Sequence, residues 1–225
     1  PWRHCDVADR AQVEASVAEL VAELGGLDVV VANAGIAAQW PVLDGDPAVL
    51  ETTLRVNVLG TYYTLRAAGP HIGHPRGYAL PVASLAAAVH APLLGAYSAS
   101  KAAVEALGNT LRAELRHTGA KVGVAYFAEL DTDMTHRGFG TAAATALKSG
   151  PGAFTGVAPL RKAIDALERG IVWRSRRVCA PRWVGPVLPV RMAVQRVVDA
   201  AVRSRVETAL AIARGENPPF TTEQR

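Results

Sequence analysis

Only two cysteines occur in the 225 residues, Cys5 and Cys179, too few for a disulfide framework, so a reducing, cytoplasmic setting is the expectation. Aromatic residues make up 6% of the chain, too few to interleave with its arginines as a stacking surface for bases requires, and no nucleic-acid partner is expected. No apolar run approaches the roughly 20 residues of a membrane span. His71 and His74 lie three apart but beside Gly73 and Pro75, without a Cys/Asp/Glu set nearby, and no metal site is expected. The chain opens at Pro1 without the basic, apolar and small-residue regions of a signal peptide. Charge of neither sign dominates: 24 basic against 20 acidic residues give +4. What is abundant is apolar residue, 50% of the chain, which excludes disorder and is ample for the core of one domain.

Strand-like and helix-like patterns alternate. Asp9 and Gln12 form a capping-box-like start, Val13, Val17, Leu20, Val21 and Leu24 follow at helical spacing, and Gly25-Gly26 ends that helix. Leu27 to Ala32 reads as a strand buried on both faces. Asp46-Pro47 caps a helix whose stripe is read as Leu50, Leu54, Val58, Tyr62 and Leu65. Tyr78–Ala83 is a second buried strand, although Pro81 violates the pattern. A small-residue helix carries Ala102, Ala106, Thr110, Leu111 and Leu115, and Lys121–Phe127 is the next strand. A helix around Ala158–Arg169, a strand near Val178–Ala180 and a final helix with Val190, Val194, Val197, Val198, Ala201 and Val202 on one face complete the pattern. Such alternation predicts an α/β fold with a doubly wound parallel sheet between two helical layers. Residues 1–181 are expected to form the main domain and 182–225 a basic helical extension packed on it.

The sharpest chemical feature is Tyr97-Ser98-Ala99-Ser100-Lys101. Tyr and Lys four apart on a helix share a face, and a nearby ammonium favours phenolate, lowering the tyrosine pKa as an acid/base group needs. Ser84 ends the buried strand 13 residues earlier. Asn57-Val58-Leu59-Gly60 lies in the preceding helix, Ala32-Asn33-Ala34-Gly35 follows the Val-rich strand, and Cys5-Asp6-Val7 precedes the first helix.

With these spacings the chain, from Asp6 to about Ala180, resembles the short-chain dehydrogenase/reductase family. The resemblance implies a Rossmann-like, three-layer fold that binds NAD or NADP at the carboxyl edge of its sheet. Tyr97 would exchange the proton while hydride moves between the nicotinamide and a carbonyl carbon. Ser84 would polarise the substrate oxygen, Lys101 would lower the Tyr97 pKa and hold the nicotinamide ribose, and Asn57 would hold a water for proton relay. Asp6, Val7, Asn33, Ala34, Gly35 and Thr132 would complete the cofactor site. Plainer roles stand beside these: Asn57 as a helix-kink residue, Ser84 as a strand-end cap, Asp6 as an N-terminal helix charge, and Asn33-Ala34-Gly35 as only a turn.

The chain departs from the family in two places. Phe127-Ala128-Glu129 stands where the family carries Pro-Gly, which puts the turn before Thr132 in question. The glycine-rich phosphate turn and the first two strands are also missing. The expectation is therefore a remainder of a longer protein, short of about one βαβα stretch of roughly 30 residues or more, with a hydrophobic edge exposed at Asp28–Ala32.

The loop Leu85–Ala96 is nearly all apolar, so Leu85, His90, Leu93 and Leu94 are expected to wall a pocket for a hydrophobic ketone, aldehyde or secondary alcohol. Residues 133–156, with Gly138, Gly140, Gly150 and Gly152, would form either a mobile lid or an ordinary solvent loop. Between Arg161 and Arg205 there are 11 Lys/Arg against 3 Asp/Glu. Arg174, Arg176 and Arg177 read as solvated residues around a strand. The final helix, with Arg191, Arg196, Arg203 and Arg205, would pack on the domain or a twin subunit (a homodimer or homotetramer), or lie on an anionic membrane surface. Epimerisation or dehydration on the same scaffold, and a non-catalytic dinucleotide-binding or membrane-peripheral protein, are the rival functions.

Overall fold

The computed structural model describes residues 1–138, 141–148, 156–216 and 220, with only the backbone at 136–138 and 148. Helix α1 (Arg10–Leu24) starts where the Asp9 carboxylate accepts from the N–H groups of Ala11 and Gln12, and ends at left-handed Gly25. Gln12 donates through Nε2 to the Asp9 carboxylate at 2.9 Å, while the Asp9 N–H goes instead to Asp6 O at 3.0 Å. Gln12 Oε1 accepts from Asp6 N at 3.1 Å and so ties the helix to the preceding loop.

Strands β1 (Val29–Ala32), β2 (Tyr78–Pro81) and β3 (Lys121–Val122) pair in parallel, as do β4 (Val124–Phe127) and β5 (Arg177–Ala180). A bridge between Val82 and Ala125 joins the two groups into one sheet. Helices α2 (Pro47–Leu54), α3 (Gly60–Ile72), α4 (Gly95–Glu114), α5 (Asp133–Gly138), α6 (Ala142–Lys148) and α7 (Leu160–Val172) lie between strands, and α8 (Val184–Val187), α9 (Arg191–Val202) and α10 (Val206–Gly215) follow β5. Tyr78, Leu80 and Val82 pack with Ala163 and Ala166 of α7. Ala79, on the opposite face, packs with Leu65 and Ile72 of α3. That alternation places helices on both faces of the sheet. At the sheet edge Val31 is exposed, as the reading of a hydrophobic edge anticipated.

Pro81 has a physical account. Tyr78 and Val82 donate to β1, so odd positions of β2 direct their N–H groups toward the neighbouring strand. At Pro81 the absent N–H faces the break between β3 and β4. Gly123 occupies that break because an added Cβ would lie 2.3 Å from both the Ser175 carbonyl and the Tyr78 hydroxyl, which donates to that carbonyl at 2.8 Å.

Three expected stripes are corrected. Leu50 and Tyr62 are 44% and 45% exposed, and the buried positions are Val49, Thr53, Asn57, Thr61 and Leu65. These step by four because Arg55–Leu59 forms a π turn, whose extra residue widens the repeat beyond 3.6. On α4 the buried face is Tyr97, Ser98, Ser100, Lys101, Val104, Glu105 and Gly108, whereas Ala106 and Thr110 are exposed. Its buried polar groups hide that face from a hydrophobic-periodicity reading. On α9, Val198 and Val202 are buried, but Val190 and Val197 face solvent.

Candidate active site

The carboxyl ends of β1, β2 and β4 open into a cavity of about 1080 Å³. Tyr97, Ser84 and Lys101 line it together. Ser84 leaves β2 in extended conformation and caps the short 3-10 turn Leu85–Ala87 by accepting from Ala86 N at 3.1 Å. Its hydroxyl donates to Phe127 O at 3.2 Å, and the Tyr97 side chain hydrogen-bonds Ser84 across the cavity floor. Ser84 is thus both the cap and a cavity group. The Lys101 ammonium stands 5.7 Å from the Tyr97 ring centroid and donates to Val82 O at 2.8 Å.

The charge states differ from the expectation. Burial pushes the Tyr97 phenol above its ordinary value, and the Ser84 bond only partly draws it back. Burial also pushes the Lys101 ammonium down to about 8. Desolvation thus outweighs the hydrogen bond to Ser84, so Tyr97 keeps its proton, while Lys101 is drawn down toward neutral pH.

Asn57 is fully buried in the π turn. Its Oδ1 accepts from Ile36 N at 2.8 Å, and its Nδ2 donates to Ile36 O and to Ser100 Oγ, each at 2.9 Å. Ser100 in turn donates to Tyr97 O at 2.7 Å. One amide therefore pins the Asn33-Ala34-Gly35 turn to the helix bearing Tyr97 and Lys101. Both donors of Nδ2 are spent, so the side chain is a staple; Ile36 and Ser100 are its unforeseen partners, although Ser100 lies within the Tyr97–Lys101 motif. Gly35 allows a close approach here, since an added Cβ would sit 3.3 Å from both Asn57 Oδ1 and Lys101 Nζ. Gly60 serves in the same way, admitting Val7 to within 2.9 Å of its virtual Cβ.

Asp6, Val7, Asn33, Ala34, Gly35 and Thr132 all border the cavity. Asp6 is exposed and accepts from Ala8 N at 2.9 Å. The Thr132 hydroxyl accepts from Thr135 N at 3.4 Å at the start of α5. Where the family carries Pro-Gly the chain leaves β4 and bends at Glu129: Ala128 N donates to Ala180 O at 3.0 Å, and Glu129 O accepts from Ala158 N at 2.9 Å. Proline at 128 would forfeit the first of these bonds.

The pocket wall is corrected. Leu85 and Leu94 line the cavity, but His90 and Leu93 do not. Leu93 adopts a left-handed backbone (φ 70) and packs with Ala143 and Ala213. His90 is exposed, its backbone held by Gln195, which accepts from its N–H at 2.7 Å and donates to its carbonyl at 3.0 Å. The wall that sequence reasoning missed comes from beyond β5: Trp183, Val187, Val194, Val198 and Val202. The step of four from Val194 to Val202 was visible, but not what it faced. The lid reading lies partly outside the described residues, including Gly140, Gly150 and Gly152; within them 142–148 is helical.

Of the arginines read as one basic face, Arg191 pairs with Glu105 of α4 through two 3.1 Å bonds. Arg205 donates to Leu147 O at 2.8 Å. Both turn toward the domain, leaving Arg196 and Arg203 exposed, which halves the basic face a membrane surface would meet. Arg174 is not simply solvated, since it lies 5.5 Å from the Tyr78 ring centroid. Among the described residues no helix is long and apolar enough to cross a membrane, and no cluster of three or more His, Cys, Asp or Glu could hold a metal ion.

The short chain dehydrogenase family profile matches residues 2–143. The chain belongs to that family. An uncharacterized NAD-dependent oxidoreductase of Mycobacterium tuberculosis is 39% identical over 134 residues, 59% of this chain and 49% of that protein. The L-2,3-butanediol dehydrogenase of Corynebacterium glutamicum is 35% identical over 119 residues, covering 52% of this chain and 46% of the other. The chain thus spans about half the length of these curated relatives. A crystal structure of a short chain dehydrogenase from Mycobacterium paratuberculosis bound to NAD superposes with a TM-score of 0.64 at 26% identity, covering 77% of this chain and 70% of that one. One from Burkholderia cenocepacia in complex with NADP gives 0.71 at 23% identity over 88% and 79%, a likeness of fold.

Proposed function

We propose that this short-chain dehydrogenase is an oxidoreductase that interconverts an apolar secondary alcohol and its ketone, or a primary alcohol and its aldehyde, with NAD or NADP. The observation that carries the reading is the buried contact of Tyr97 with Ser84 in one cavity with the Lys101 ammonium.

The residues present fit the nicotinamide and ribose part of such a cofactor; the glycine-rich phosphate turn of the family is not among them. Gly35 leaves open the approach to Lys101 Nζ, whose one donation to Val82 O leaves two N–H groups for ribose hydroxyls. Asn33, Ala34, Asp6 and Thr132 border the same cavity; the first three would hold the adenosine half and Thr132 the carboxamide. When bound, the cofactor supplies or accepts the hydride.

The protein's part is proton transfer and charge stabilisation. Tyr97, protonated because it is buried, gives its proton to the substrate oxygen as the carbonyl carbon is reduced, and takes it back on oxidation. Ser84 must turn its hydrogen from Phe127 O to the substrate oxygen. Its 3.2 Å bond is long for a hydroxyl donor, so the exchange costs little. Lys101, drawn down to about 8 by burial, stands 5.7 Å from the Tyr97 ring centroid, where it would hold the ribose beside the phenol. Asn57 and Ser100 hold the two helices in register throughout.

The test is to mix the chain with a panel of secondary alcohols and each oxidised nicotinamide, following the reduced ring's absorbance. Alcohol-dependent reduction is expected. Substrate rearranged with the cofactor's redox state unchanged would instead mark epimerisation or dehydration, and inertness toward the whole panel a binding protein.

A further inference from the structure

The cavity opens at the carboxyl ends of the strands, and the opposite edge of the sheet gathers cations. Arg76 precedes β2, Lys121 opens β3, and Trp173-Arg174-Ser175-Arg176-Arg177 leads from α7 into β5. The fold draws these together with Arg112 of α4. Arg174 donates to Arg76 O at 3.2 Å and lies 5.5 Å from the Tyr78 ring centroid. Arg112 donates to Val122 O at 2.7 Å and reaches Arg176 O at 3.5 Å. Arg76 meets an acid, Asp28, at 3.3 Å. Among the described residues none of Arg112, Lys121, Arg174, Arg176 and Arg177 forms an ion pair. Burial, and then the like charges of Arg176 and Arg177, hold the Arg112 guanidinium below its ordinary value. That repulsion is what an anionic partner would relieve.

The same turn puts an apolar pair into solvent. Val172 is 71% and Trp173 78% exposed, although Ile171 just before them packs into the core. The turn is fixed. Arg174 has a left-handed backbone (φ 49), its guanidinium donates to Ile171 O at 2.7 Å, and Ser175 N donates to Gly170 O at 2.9 Å. Two adjacent apolar side chains among cations suit a surface that is apolar beneath a layer of anions. Indole rings settle at the bilayer interface, and arginines reach phosphates while their stems stay against apolar surface. A nucleic-acid strand calls for successive aromatics to stack its bases, and this turn offers one.

We propose that the edge formed by Arg112, Trp173, Arg174, Arg176 and Arg177 docks on an anionic phospholipid bilayer, with Val172 and Trp173 set among the headgroups and the cavity facing away. This moves the membrane contact from the final helix to the turn before β5, outside the family match to 2–143. It does not depend on the hydride-transfer reading.

The test floats the whole chain with vesicles of equal parts phosphatidylglycerol and phosphatidylcholine, and with phosphatidylcholine alone. Binding is expected to the anionic vesicles only, weakening as salt rises. Arg176→Gln with Arg177→Gln should weaken it by about thirtyfold. Trp173→Ser should weaken it by about tenfold. The urea midpoint should stay unchanged in both, because these side chains are exposed. Arg196→Gln with Arg203→Gln removes the same charge from α9 and should change binding by less than about threefold. Equal losses from the two arginine pairs, or binding untouched by Trp173→Ser, overturn the docking edge. Equal binding to neutral vesicles, or none to either, does the same. A single-stranded oligonucleotide that binds more tightly than the vesicles, through the same residues, gives the edge to nucleic acid and overturns the lipid assignment.

Discussion

The two ends of the cavity are built on different principles. At the chemical end, polar groups from β2, α4 and the π turn meet at hydrogen-bonding distance, each spoken for by a named partner. At the substrate end, valines and leucines from α6, α7 and α9 supply surface without direction, and polar contacts appear only behind the wall, holding helices in place. The chemical end should therefore fail sharply when one atom is changed. The substrate end should alter by degrees, in preference more than in rate.

Lys101 tests the sharp end hardest. Lys101→Met should lower turnover by on the order of a hundredfold to ten-thousandfold. It should also stabilise the fold. The folded-state pKa is depressed to about 8, so the buried ammonium destabilises the protein most below pH 8, and that penalty fades as pH rises toward the unfolded value. Removing it, less the bond to Val82 O, should raise unfolding free energy by roughly 1–3 kcal/mol at pH 7, and by less at pH 10. Urea denaturation at the two pH values checks this; a variant less stable at pH 7 would contradict the burial of a cation there.

Asn57→Ala removes the staple and strands the Ile36 N–H and carbonyl in a buried site. A loss of roughly 2–4 kcal/mol is expected from the denaturation midpoint, with slower turnover. A change below about 0.5 kcal/mol would show that the turn is held by something else.

The smallest effects belong to the apolar end, where Val198 and Val197 form an internal control. Val198→Ala should shift the preference between bulky and small alcohols by about tenfold. Val197, 64% exposed, should tolerate alanine within about 0.5 kcal/mol and without a shift in preference. Equal responses would erase the distinction between wall and surface on α9.

The same contrast explains what the sequence could disclose. Tyr97, Ser84, Lys101 and Asn57 were legible because polar chemistry is recorded in residue type and spacing, and Asp9, Asp46 and Gly25 marked helix ends because caps are local. The parallel pairing of the strands followed from the alternation of patterns. The stripe of α2 and α3 was misread because a π turn changes the helical repeat, and no single residue announces one. His90 and Leu93 were misplaced because their partners, Gln195 for the one and Ala143 and Ala213 for the other, lie far along the chain. The C-terminal wall was hidden because a valine's partners depend on tertiary packing that no spacing encodes. The phenol's pKa was misjudged for a related reason: the ammonium is visible in the motif, the burial is not.

The central claim is that the Tyr97 hydroxyl carries the proton. The most direct measurement compares Tyr97→Phe with the unaltered chain, reading kcat for alcohol oxidation and the dissociation constant of the nicotinamide cofactor. Loss of about a hundredfold to ten-thousandfold in kcat with cofactor affinity held within about twofold is the expected result. Turnover undiminished in the phenylalanine variant would contradict the account.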